Sequence, residues 1–147
     1  MGGSRLCRGD EAAVSLDAAK AGGIYPQEYV YRSSPVEHVL DHGDAVTVGD
    51  FGIEMIHTPG HCSYLVTGKD KTYLVGGDAI FFGRKVVLQK TYDCSVPQTI
   101  ESIERLSEYS FEALLPGHLN FSLKNGKRHI NTARAITDRF GCPPSIT

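Results

Sequence analysis

The chain has 147 residues, 41% of them hydrophobic and 22% charged, and a formal net charge of −2 at pH 7. This composition is typical of a globular protein with its own core, so we expect residues 1–147 to form a single domain. The slightly negative charge gives no reason to expect nucleic acid or an anionic membrane as a partner. The sequence lacks both a run of roughly 20 apolar residues and the apolar segment of a signal peptide, which predicts a cytoplasmic protein.

Strands dominate the predicted elements up to residue 78. A short buried strand over 12–16 comes first, and an Ala-rich turn that Asp17 caps follows it. From Val36 onward, short apolar or alternating runs are separated by Gly-Asp turns, which predicts strands over 36–40, 45–48, 51–56, 64–66 and 72–75. Tight turns between successive strands imply an antiparallel or mixed sheet.

Two helices and one more strand are predicted after residue 78. Ser95, with Gln98 three positions later and Pro97 between them, predicts a capping box at a helix start. The buried face of this helix is Ile100, Ile103 and Leu106, and its solvated face is Glu101, Glu104, Arg105 and Glu108. A strand over 112–115 leads to His118. The last helix follows Asn125-Gly126, with apolar residues at helical spacing as far as Phe140 and His129 as a surface histidine.

Three of the predicted strands end on residues that commonly bind metals. His61 follows strand 51–56 after the turn Thr58-Pro59-Gly60, Asp78 follows strand 72–75, and His118 follows strand 112–115. Proline fixes φ and glycine tolerates left-handed dihedrals, so the turn should present His61 at a loop tip. Loops at the strand ends of α/β folds usually carry the functional site. Imidazole nitrogen and carboxylate oxygen suit zinc, manganese or iron.

Three motifs carry a resemblance to a known family. They are His57-Thr58-Pro59-Gly60-His61, Gly77-Asp78-Ala79-Ile80-Phe81 and Pro116-Gly117-His118. On these motifs the chain resembles the metallo-β-lactamase fold superfamily from about Val36 to Phe140. The resemblance implies an α/β fold, the αββα sandwich of that family, with two metal ions at one edge. Zinc is the implied metal, with iron or manganese as other possibilities.

The resemblance also implies roles for four residues of this chain. His61 ligates the first metal, Asp78 bridges both ions and is the catalytic residue, and His118 ligates the second metal. His57 supports the ligands or the local structure rather than binding metal. The implied activity is hydrolysis of a small ester, lactone or thioester by a hydroxide held between the metals. The implied partner is therefore a small-molecule substrate, without nucleic acid or membrane.

One family motif is missing. The motif His-x-His-x-Asp-His, which supplies the other ligands, does not occur, whereas the Gly-Gly that often follows it matches Met1-Gly2-Gly3. We therefore expect an N-terminally truncated, partial domain. Three ligands shared by two metals are fewer than a catalytic zinc needs, so we expect weak metal binding and no activity from this chain by itself. The loss should also expose a sheet edge and favour aggregation.

Other members of the family fit less well. The commonest β-lactamases carry a cysteine where Asp78 stands, and glyoxalase II enzymes append a helical domain after the position of His118. A compact hydrolase is therefore the leading interpretation. One alternative is a persulfide dioxygenase of the same fold, which binds a single iron with two histidines and one aspartate. The other is a non-catalytic, truncated domain.

Overall fold

The computed structural model describes residues 16–30, 35, 37–59, 61–88 and 95–146. The chain divides into two compact units, residues 1–40 and residues 41–147. Helix α1 (Leu16–Ala21) lies in the first unit. The second unit contains the elements β1 (Ala45–Val48), β2 (Phe51–Thr58), β3 (His61–Thr67), β4 (Thr72–Gly77), α2 (Val96–Glu108), β5 (Ala113–Pro116) and α3 (Lys127–Thr137). The expectation of a single domain over 1–147 stays a prediction.

The five strands form one mixed sheet in the order β1-β2-β3-β4-β5. The first three pairs are antiparallel and follow the chain, because tight turns connect them. β5 pairs in parallel with β4, because α2 carries the chain back across the sheet between them. The sequence prediction of an antiparallel or mixed sheet is confirmed.

Several strand boundaries differ from the sequence prediction. β2 continues to Thr58, and β3 already begins at His61, so His61 opens a strand rather than occupying a loop tip. The predicted strand over 36–40 is wrong for residues 37–40, which form no strand, and residue 36 lies outside the described residues. Of the predicted strand over 12–16, residues 12–15 also lie outside them, and Leu16 begins α1.

The two long helices begin where the sequence predicts. The cap of α2 and the end of α3 differ from the prediction. Ser95 precedes α2 and Pro97 lies in its first turn, but the Ser95 side chain makes no capping hydrogen bond, so the predicted capping box does not form. α3 ends at Thr137. Phe140 is fully exposed, with φ of 58°, so the prediction that it continues the apolar face of the helix is wrong.

The core lies between one face of the sheet and the helices α2 and α3. Alternate residues of a strand share a face, and the pairing register places the inward residues of β2, β4 and β5 side by side. The fully buried core side chains include Ile56, Leu74, Leu114, Ile103, Leu106 and Ile130. Each contributes about 1.5–3 kcal/mol through burial. This layer fixes the strand ends on which the candidate site depends.

A close backbone approach joins α3 to β5. A Cβ atom at Gly126 would lie 2.5 Å from the backbone nitrogen of Leu114, closer than real contacts allow. The Gly126 amide donates to the Glu112 carbonyl at 2.7 Å, so α3 begins directly against the strand.

Within the described ranges, no helix is long and apolar enough to cross a membrane.

Candidate metal centre

The sheet brings the three proposed ligands to one edge. Thr58 pairs with His61 across the β2–β3 turn, so the end of β2 and the start of β3 lie together. β4 runs antiparallel to β3 and parallel to β5, and Gly77 pairs with Pro116. His61, Asp78 and His118 therefore lie together where these strands begin or end, on one side of the sheet. This row of strand ends is called the metal edge.

The side chains of Asp78 and His118 face each other. Nε2 of His118 lies 3.7 Å from Oδ2 of Asp78, beyond hydrogen-bond distance. Two donor atoms around one tetrahedral ion, with bonds of about 2.0–2.1 Å, are separated by about 3.4 Å. The Asp78 side chain is 25% exposed and that of His118 is 71% exposed, so an ion can reach both. Their separation is compatible with a shared metal ion.

Two glycines shape the backbone around the Asp78 carboxylate. A Cβ atom at Gly117 would lie 2.5 Å from Oδ1 of Asp78, so a larger residue there would displace the carboxylate. The Gly117 amide also donates to the Gly77 carbonyl at 2.7 Å, which ties the end of β5 to the end of β4. Gly77 has φ of 52°, a left-handed conformation that glycine adopts without strain. The Pro-Gly and Gly-Gly pairs before His118 and Asp78 thus have a steric role.

Two buried hydroxyl groups hold the strand that begins at His61. Thr58 Oγ1 donates to the His61 carbonyl at 3.0 Å, and Ser63 Oγ donates to the Gly76 carbonyl at 3.2 Å. The two hydroxyl oxygens lie 3.2 Å apart, and both residues are fully buried. Each hydroxyl has one proton, so only two of these three contacts are hydrogen bonds at any moment. The network links β2, β3 and β4 beside the metal edge.

The three proposed ligands have the donor atoms that a metal ion needs, but their positions form only part of a metal site. Among the described residues, no group of three or more His, Cys, Asp or Glu side chains is close enough to hold an ion. Asp78 and His118 approach each other, whereas the exposed His61 lies on the same edge without completing a triad. The donor set of two imidazoles and a carboxylate suits zinc, manganese or iron.

His57 is held by contacts on the outer side of β2. Its amide donates to Nδ1 of His42 at 3.4 Å, and its carbonyl accepts a hydrogen bond from the Arg105 guanidinium of α2. Burial lowers the pKa of the His57 imidazole, and the positive charge of Arg105 lowers this pKa further. These contacts support the interpretation of His57 as structural. The sequence interpretation of Arg105 as a solvated residue missed its contact with β2.

His129 is buried, so the prediction of a surface histidine is wrong. It is 5% exposed, and its ring lies 4.5 Å from the Phe82 ring. Its Nδ1 accepts a hydrogen bond from the Gly83 amide at 3.2 Å, which attaches the turn after Asp78 to α3. Burial lowers the pKa of His129, and the Arg128 charge adds to this effect. Nε2 is buried and has no hydrogen-bond partner within the described residues.

Comparison with known proteins assigns the family. The model of the metallo-beta-lactamase superfamily matches residues 6–118, a range that contains all three motifs. The chain belongs to this superfamily. The family match begins well before Val36, where the sequence resemblance starts, and ends at His118. The mixed α/β fold class is confirmed, since solved members of the superfamily share the fold.

The solved structures show the fold over most of this chain. A metallo-beta-lactamase from Staphylococcus aureus is 24% identical with a TM-score of 0.57, and the match covers 84% of this chain and 44% of that one. A family protein from Thermus thermophilus is 20% identical with a TM-score of 0.58, covering 93% and 49%. An archaeal superfamily protein from Sulfolobus tokodaii is 19% identical with a TM-score of 0.58, covering 90% and 54%. This chain therefore spans about half the length of these structures.

A curated relative matches a shorter region. A hydroxyacylglutathione hydrolase from Erythrobacter litoralis is 35% identical over 79 residues, which is 49% of this chain and 30% of the relative. Its name denotes the glyoxalase II class, which the sequence interpretation ranked lower. The similarity is to a hydrolase, in agreement with the broad class that the superfamily indicates.

Proposed function

We propose that this chain carries part of the site of a metal-dependent hydrolase that acts on a small ester, lactone or thioester. The observation that carries the proposal is the approach of the Asp78 carboxylate to the His118 imidazole, at 3.7 Å, on the edge where His61 begins β3. In this proposal His61 ligates one metal ion, Asp78 bridges two ions and His118 ligates the second. Zinc is the proposed metal.

Among these substrates we favour a thioester. A hydroxyacylglutathione is a thioester, and the curated relative named for it shares 35% identity with this chain over 79 residues. Metal ions bound at this edge would polarise the carbonyl of the substrate and supply a water nucleophile near neutral pH. Gly117 would keep the Asp78 carboxylate directed at the ions, because it adds no side chain that crowds the carboxylate.

Exposed apolar residues that follow His118 in the chain favour a small organic substrate. They are Leu119, Phe121 and Leu123, which are 63%, 61% and 51% exposed. Ser122, between Phe121 and Leu123, is buried and exchanges two backbone hydrogen bonds with Leu114 of β5, at 2.7 and 2.9 Å. This segment is thus attached to the strand that leads to His118. In this proposal its apolar side chains contact the acyl group of a substrate whose carbonyl lies at the metal ions.

Zinc binding by the full 147-residue chain tests the ligand assignment. Isothermal titration should show weak, saturable binding that His61→Gln, Asp78→Asn and His118→Gln each reduce at least tenfold. The matched control, His38→Gln, replaces an exposed histidine that is not one of the proposed ligands and should stay within twofold of the parent chain. Equal affinities across all four variants would contradict the assignment.

A second titration addresses the reaction class. The chain, joined to a segment that supplies His-x-His-x-Asp-His, should bind two zinc ions and hydrolyse an S-acylglutathione. A single bound iron with oxygen uptake on a persulfide would replace the hydrolase with the dioxygenase. Folded protein that binds no metal in this form would leave the non-catalytic interpretation.

A further inference from the structure

We propose that a groove between the turn at 82–84 and the last turns of α3 binds a small organic oxyanion with an apolar body. The groove has a volume of about 420 Å³. It is lined by Arg84, Thr132, Ala135, Ile136, Arg139 and Gly141. None of these residues belongs to the proposed metal centre, so this proposal does not depend on the proposed function.

The groove is lined by two positively charged side chains, those of Arg84 and Arg139. Arg84 and Arg139 are exposed, and within the described part of the chain neither guanidinium takes part in an ion pair. Two other arginines of the unit are paired: Arg105 contacts Glu101 at 2.6 Å, and Arg134 contacts Asp138 at 2.7 Å. Two guanidinium groups beside one groove offer planar, bidentate donors for a carboxylate or a phosphate.

The remaining lining determines what the anion is attached to. Ala135 and Ile136 present methyl and methylene groups, which favour an apolar body. The Thr132 hydroxyl donates its proton to the Arg128 carbonyl at 2.7 Å, so the donors left for an anion are the two guanidinium groups. The ligand class is therefore a carboxylate or phosphate monoester with a short aliphatic or aromatic part.

Hydrogen-bonded backbone segments fix the positions from which both arginines project. Arg84 has φ of 65°, and its turn is closed by the Phe81 amide, which donates to the Lys85 carbonyl at 2.8 Å. The same turn is tied to α3 by the Gly83–His129 hydrogen bond. The amides of Arg139 and Gly141 both donate to the Ile136 carbonyl, at 3.1 and 3.0 Å. A preorganised backbone lowers the entropy cost of binding.

Chemical-shift titration of the ¹⁵N-labelled, metal-free chain tests the groove. Phenyl phosphate and benzoate serve as probes with an apolar body, and inorganic phosphate serves as the probe without one. We expect saturable shifts at the amides of Gly83, Ile136 and Gly141, and at least threefold tighter binding of an aromatic probe than of inorganic phosphate. Comparing the two aromatic probes identifies which oxyanion is preferred.

Matched variants separate this site from general electrostatic attraction. Arg84→Asn, which tolerates the left-handed backbone, and Arg139→Gln should each weaken binding at least fivefold. Arg128→Gln removes an exposed arginine of α3 that does not line the groove and should stay within twofold. Arg139→Lys keeps the charge without the bidentate fork and should give an intermediate loss. Equal losses in all variants, or shifts that do not saturate, would overturn the proposal.

Discussion

Gly117 is the residue on which the position of the Asp78 carboxylate depends most directly. Gly117→Ala places a Cβ atom 2.5 Å from Oδ1 of Asp78, so the carboxylate must shift from its position facing His118. We expect zinc affinity to fall at least tenfold, by calorimetry, with about 1–2 kcal/mol lost in stability. The control Gly52→Ala adds a Cβ atom that meets nothing within 4 Å, and unchanged zinc binding in Gly117→Ala would contradict this role.

His129 should make the stability of the chain depend on pH. Burial lowers its pKa below the ordinary value of 6.5, so in mild acid the unfolded chain takes up a proton that the folded chain excludes. Stability should therefore decrease as the pH falls below about 6.5, by up to about 1.4 kcal/mol per pH unit. His129→Gln should flatten this slope in urea unfolding between pH 7 and 5, and His38→Gln should not. Equal slopes in both variants would show that His129 does not titrate in this way.

The proposed ligands are recognisable from the sequence because their signals are local. His61, Asp78 and His118 each follow an apolar run and a pair containing glycine, and the structure places all three at one edge. The contacts of Arg105 and His129 join residues 48 and 46 positions apart, so no local pattern reveals them. The buried position of His129 follows from the packing of α3 on the turn after Asp78 rather than from its own sequence neighbourhood.

At the scale of elements, Arg105 connects α2 to the strand that leads into the metal edge. Its guanidinium donates to the His57 carbonyl and also pairs with Glu101. Arg105→Met should cost about 1–2 kcal/mol in urea unfolding, because the His57 carbonyl then loses a charged donor. Glu101→Gln removes only the exposed partner and should cost less than about 0.5 kcal/mol. Equal costs would indicate that the contact with β2 contributes nothing.

Backbone hydrogen bonds on the β1 side of β2 continue past the end of β1. Beyond β1, the Met55 amide donates to the Asp44 carbonyl at 2.8 Å, and the Gly43 amide donates to the Met55 carbonyl at 2.9 Å. His42 and Arg105 then satisfy the amide and carbonyl of His57. Satisfied edge groups offer less to a second chain for pairing. The aggregation expected from an exposed sheet edge stays a prediction.

Strand and helix types were easier to predict from the sequence than their ends. Alternation and apolar runs locate β1, β2, β4 and both long helices, because each signal lies within one element. The end of α3 could not be predicted in this way. Phe140 continues the apolar spacing, but the chain turns there with positive φ and exposes the ring. The absence of strand over 37–40 likewise reflects pairing partners, which a single run of sequence does not specify.

At the scale of the whole second unit, the strand pairings that bring the proposed ligands together join residues at very different separations along the chain. Thr58 meets His61 across a tight turn, whereas Gly77 meets Pro116 only after α2 has been placed. Loop-closure entropy makes the second pairing about 2 kcal/mol harder to initiate. The β1–β4 meander should therefore form early in folding, and the parallel β4–β5 pairing late.

The Asp78–His118 pair spans this late pairing. Some ligand sites are assembled only after the folding transition state. A ligand that binds such a site slows unfolding and leaves the folding rate nearly unchanged. Stopped-flow measurements with saturating zinc should show this asymmetry, and a folding rate that rises with zinc would indicate early assembly of the site. Bound zinc would then lengthen the lifetime of the folded chain by slowing its unfolding, without making the chain fold faster.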